Sequence, residues 1–235
     1  MATLAAVEPA ALDSAQALRR AAYLTAGSGA VHALLFLLSY FLVTSQPGVR
    51  ASDADLVSFY QSDQPRRLIL VGLYLMPFAG IAFIWFIVAL RAWIAASGRP
   101  EDILLSNVQL VSGIVFIALF FAAAASAAAI AASVEYSSGP IDATSARQLP
   151  SLGNALFFVF AMRMAAMFIF ATSNIGRRTG LLPTWFAIVG FVVGLFLLLS
   201  ATFSQLLVLV FPVWILALAV LMVVHARHAS DTAIA

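Results

Sequence analysis

Two polar side chains stand well inside apolar sequence. Arg163 lies between Met162 and Met164, with roughly ten residues of apolar helix on each side in a stretch long enough to span a bilayer. A guanidinium at the centre of a membrane helix costs roughly 2.5–3.5 kcal/mol on insertion scales unless it is paired, solvated or able to snorkel. No Asp or Glu falls at comparable depth. Glu101 and Asp102, at the end of their helix, become partners only after snorkelling, while Tyr74, Asn107, Gln109 and Ser112 offer hydrogen bonds at intermediate depth. Arg163 therefore reads first as a clamp within a helix bundle. Recognition of an anion or lipid headgroup, and contact with another subunit, are the alternatives.

His32 sits mid-span beside Gly27, Gly29 and Ser39. A proton relay needs a second titratable group at similar depth, so the expected state is a neutral imidazole hydrogen-bonded across the bundle. A heme role would leave it a single axial ligand without a deep second histidine. His225 and His228 lie near the C-terminal interface, with no deep carboxylate or cysteine to complete a metal site. The chain has no cysteine, which excludes disulfides and thiolate chemistry. HExxH, GxSxG, a nucleotide-binding loop and paired intramembrane carboxylates are all missing. Asp53–Asp55 and Glu101–Asp102 stand at helix starts, where the dipole explains them. No catalytic residue, metal or cofactor is expected.

The elements that position these residues are membrane helices. Hydrophobic residues make up 63% of the 235, charged residues 9%, and every basic residue is an arginine. Those arginines are too dispersed for a nucleic-acid surface. The N-terminal stretch carries two acids ahead of Arg19–Arg20, unlike a cleaved signal peptide. Spans are expected at Ala22–Val43, Leu68–Ala89, Leu105–Ala131, Ser151–Ser173, Leu181–Leu199 and Gln205–His225. The last two come from a tract of roughly 68 Å as helix, twice the hydrocarbon thickness, divided at the polar break 200–205.

The resulting expectation is an all-α membrane protein, a compact bundle of six transmembrane helices. It runs over 22–226, between an N-terminal segment at 1–21 and a tail at 227–235. Within the polar stretch 44–64, Ser52-x-x-Asp55 predicts a short capped helix through Tyr60. The run 120–133, FFAAAASAAAIAAS, is small-sided enough for a neighbouring helix to approach closely, as is Gly190-x-x-x-Gly194. Pro77 and Pro212 are expected to bend their spans. With both termini inside, Arg19, Arg20, Arg91, Arg99, Arg177, Arg178 and Arg227 lie on the cytoplasmic side, against Arg50, Arg66, Arg67 and Arg147 opposite. The positive-inside rule favours that orientation, and with it the cell inner membrane.

GLYLMPFAGIAFIWFIVALR (72–91), the Pro100–Glu101–Asp102 turn, VSGIVFIALFFAAAA (111–125) and RMAAMFIFATSNIGRRTGLLPTWFAIVG (163–190) together carry a resemblance. The chain resembles a family of uncharacterised actinobacterial six-helix integral membrane proteins over about 67–198. Membership would place Pro77, Trp85, Arg91, Glu101, Arg163 and Arg178 first in line for testing, and implies no catalytic role for them. The expected function is an accessory or scaffold subunit of a larger cell-envelope membrane complex, associated with lipid or solute transport and partnered by membrane lipids and other integral membrane subunits. The alternative is a small-solute, lipid or anion transporter whose intramembrane site is reached by Arg163 and His32.

Overall fold

The computed structural model describes residues 2–43, 47, 50–62, 65–99, 102–137, 141–199 and 205–231. All regular structure among them is helical. We name the continuous helices α1 (Ala2–Val43), α2 (Asp53–Gln61), α3 (Pro65–Ala96), α4 (Ile103–Ser137), α5 (Ala143–Arg178), α6 (Thr184–Leu199) and α7 (Val210–Asp231), the last entered through a 3-10 turn at Gln205–Leu209.

The expected six-helix bundle is overturned. Four of the seven continuous helices among the described residues are long and apolar enough to cross a bilayer: Gln16–Leu42 within α1, then α3, α4 and α5. These run to 27, 32, 35 and 36 residues. The C-terminal tract supplies only the shorter apolar helices Thr184–Leu199 and Val210–Val224. Part of the shortfall is local. Leu181 and Leu182 are not helical; the Leu182 N–H instead turns back to the Gly176 carbonyl at 3.0 Å. The sequence Leu182–Pro183 also disfavours helix before Thr184. What remains as α6 is 16 residues, roughly 24 Å of rise, less than the hydrocarbon core. The chain is nonetheless a multi-pass α-helical membrane protein.

Other boundaries moved outward. Asp142 caps α5, its carboxylate accepting from the Thr144 and Ser145 amides at 3.2 and 2.9 Å. The helix therefore starts at Ala143 and runs through Pro150, in what reads by sequence as a loop. Bonds from the Ser145 hydroxyl and these amides hold the Asp142 carboxyl below the usual range. The short helix α2 forms as the Ser52-x-x-Asp55 spacing predicts, with a complete capping box. It docks on the bundle through buried Leu56 and Tyr60, and that burial raises the Tyr60 phenol above its ordinary pKa.

Two spans widen into π-helix, at Leu70–Leu75 in α3 and Ala155–Ala161 in α5. The first directly precedes Pro77, where the Met76 N–H reaches back to the Val71 carbonyl. A proline ring crowds the carbonyl four residues before it, and a widened turn relieves that crowding. Both segments pack against the small-sided part of α4. A Cβ on Gly153 would lie 3.0 Å from the Ala123 carbonyl oxygen, and one on Gly72 would overlap Ala128. The Gly190-x-x-x-Gly194 pair is used within the monomer, Gly190 against Ser173 and Gly194 against Phe170. Packing of small residues drives association where lipid tails are as apolar as the helix faces. Exposed Phe78, Ile81, Trp85 and Val88 of α3 face outward, as a lipid-facing helix side requires.

Candidate functional site

Between the two π-helical turns and beneath α2, the helices leave a cavity of about 280 Å³. Its wall takes Phe36, Ser39 and Tyr40 from α1 and Leu56 from α2. From α3 come Leu68, Val71, Gly72 and Met76, and from α4 Phe120, Ala123 and Ala127. One side of α5 completes it, from Arg147 through Ser151 and Asn154 to Phe157 and Phe158. Small residues border the space, Gly72 and Gly153 lining it where their helices close on Ala128 and Ala123.

The two ends of the cavity differ chemically. At the α2 end, Arg147 Nη2 donates to the Ala51 carbonyl at 2.7 Å and to Asp53 Oδ1 at 2.9 Å. Arg147 Nε is buried and has no partner among the described residues. Ten residues further along α5, roughly 15 Å of helix, Phe157 meets Phe36 and Phe120 with ring centroids 5.6 and 5.7 Å apart, and these two stack on each other at 5.7 Å. The three rings form an aromatic floor.

His32 lies on the far side of that floor. It is fully buried, with Phe36, Phe83, Phe116, Phe120 and Phe211 around its ring. Nδ1 donates to the Ala79 carbonyl of α3 at 2.9 Å, which fixes the tautomer, and Nε2 has no partner among the described residues. Phe36 and Phe120 touch both His32 and the cavity, whereas His32 does not line it.

Arg163 does not line it either. The side chain is half-buried, and Nη1 donates to the Val159 carbonyl of its own helix at 2.7 Å, within the π-helical turn. The groups expected around it are elsewhere. Gln109 is buried and donates to Thr172 Oγ1 at 2.8 Å; the Ser112 hydroxyl turns to the Val108 carbonyl. Tyr74 and Asn107 are exposed, and Glu101 lies outside the described residues. Among the described residues no hydrogen bond joins Arg163 to His32, Tyr74, Asn107 or Gln109. Of the other positions that the sequence put forward, Arg91 Nη1 donates to the Ser106 carbonyl and hydroxyl, both at 2.7 Å. Arg178 pairs with Asp102 at 2.9 Å.

Sequence reasoning passed over Arg147, one of four arginines on the less basic side. Asp53 in the opposite polar stretch was the available signal: two loops on one side of the membrane, carrying opposite charges, above a run of alanines. Among the described residues no group of three or more His, Asp or Glu is placed to hold a metal. What the site offers is apolar and aromatic contact along most of its length, and a guanidinium at one end.

Fold and site together define a multi-pass helical membrane protein with a cavity inside its bundle. No family model, curated protein or solved structure matches the chain.

Proposed function

We propose that this protein binds a small amphiphile in the cavity beneath α2, and that binding, rather than catalysis, is its activity. The observation that carries the reading is the gradient along the cavity, from the Arg147 guanidinium to the Phe36–Phe120–Phe157 floor. Ligand sites are mostly apolar with a few placed polar groups, and this volume lies near the lower end of their range. The arginine distribution supports cytoplasmic termini, which turns the cavity toward the extracytoplasmic leaflet of the cell membrane.

The transport reading of the sequence ran through Arg163 and His32, and neither side chain lines this space. A binding role also suits an accessory subunit, which would hold the ligand for partner subunits in the membrane. Native mass spectrometry of the purified protein, released from detergent, tests the reading. Adducts of lipid-like mass are expected on the parent chain and should vanish in Ala127→Trp, which fills the cavity from α4. Equal adducts on both proteins would count against it.

A further inference from the structure

Resting on that reading, we infer that the ligand is a single-chain lipid with an anionic head, and that Arg147 is the residue that holds the head. The guanidinium forms part of the cavity wall, yet among the described residues only Nη2 is engaged, by Ala51 and Asp53. The buried Nε has no acceptor among the described residues. Buried N–H donors in folded proteins are nearly always paired. A guanidinium presents its donors as a planar fork, with Nε and Nη2 along one edge, matched to two oxygens of a carboxylate or phosphate. Nε has no surface open to the cavity as it stands, so the guanidinium must turn from Asp53 toward the ligand, and in doing so it pairs the orphan donor and completes a two-point contact.

The competing partner is weak. Asp53 has a side chain 72% exposed, and an exposed ion pair is screened by water and salt. A ligand anion under the cover of α2 meets less screening, so exchange from Asp53 to the ligand is favourable. Below Arg147, Ser151 and Asn154 follow at i+4 and i+7 along the same side of α5, and then the wall turns apolar toward Phe157. A length of roughly 15 Å with about 280 Å³ of space suits one medium-length chain of about ten carbons and leaves no room for a second.

The test uses the full chain in nanodiscs of zwitterionic lipid and measures saturable binding of decanoate and of decanol, which share a tail and differ in the head. The parent protein is expected to prefer decanoate by about tenfold or more, the size of a charge-assisted hydrogen bond. Arg147→Gln should abolish that preference, while an unchanged helical circular dichroism spectrum shows that the variant is folded. Asp53→Asn should tighten decanoate binding, because it removes the competitor for Nη2. Equal binding of both ligands, unaffected by either substitution, would overturn the assignment of the head and leave the cavity reading standing. Failure of either ligand to bind saturably would overturn both.

Discussion

Gly72 of α3 faces Ala128 of α4 so closely that a Cβ built on the glycine overlaps the alanine methyl and comes within 2.9 Å of the Ala124 carbonyl oxygen. The contact lies inside the π-helical turn that precedes Pro77, on one wall of the cavity. The wide turn and the alanine run are thus two halves of one interface.

Gly72→Ala should separate α3 from α4. Overpacking of this kind costs about 1–3 kcal/mol, because one of the atoms met is backbone. Gly27 of α1 is the control, since a Cβ there meets nothing within 4 Å. Gly27→Ala should be neutral or stabilising by up to about 1 kcal/mol, from helix entropy alone. Equilibrium unfolding in mixed micelles, followed by tryptophan fluorescence, separates the two. Equal effects would remove the close approach as an explanation.

His32 invites a comparison of packing with hydrogen bonding. A side-chain hydrogen bond between membrane helices is worth about 0.6 kcal/mol on average and at most about 1.7, whereas emptying a sealed core site costs about 2–5. His32→Phe, which keeps most of the ring volume and loses the Ala79 bond, should cost about 1 kcal/mol. His32→Ala should cost about 2–4. The same unfolding measurement decides; a Phe variant as damaged as the Ala variant would mean that the imidazole nitrogens, not its volume, hold this part of the bundle.

The parts of the fold legible in the sequence were those set by local chemistry. The capping box at Ser52 and Asp55 fixes α2 because both partners lie within one turn. The alanines after Phe120 announced a close neighbour because small side chains leave no other use for that face. Illegible were features decided by tertiary context. Pro150 reads as a loop residue, yet Asp142 starts the helix before it. Leu181 and Leu182 read as membrane helix, yet the turn after Gly176 claims them. Polar groups expected near Arg163 are drawn elsewhere, Gln109 to Thr172 on a neighbouring helix. Arg147 could be placed only once α2 and α5 were known to meet.

Asp102 does two jobs at the start of α4, and single substitutions distinguish them. Oδ1 accepts from the Leu104 and Leu105 amides at 3.0 and 3.3 Å, while Oδ2 pairs with Arg178. Arg178 is 58% exposed and Asp102 35%, so the ion pair contributes about 0–1 kcal/mol. The cap contributes typically about 1. Arg178→Ala and Asp102→Asn, which keeps a capping oxygen, should each cost less than about 1 kcal/mol; Asp102→Ala should cost about 1–2. A ranking with Arg178→Ala as the most harmful would show that the charge pair, not the cap, fastens this end.

Arg163 supplies the sharpest contest of magnitudes. Among the described residues Nη1 bonds to the Val159 carbonyl of its own helix; bonds between membrane helices stabilise by about 0.6 kcal/mol and rarely beyond 1.7, and one within a helix adds no more. Holding a guanidinium near the middle of a span costs roughly 2.5–3.5 kcal/mol on insertion scales. The second figure exceeds the first, so for the chain alone Arg163→Met should leave stability unchanged or raise it by about 1–2 kcal/mol. Thermal and denaturant unfolding of both proteins in the same detergent would measure the difference. If the parent chain is instead the more stable by about 2 kcal/mol or more, the guanidinium has a partner worth more than the Val159 bond, and the clamp expected from sequence regains its case.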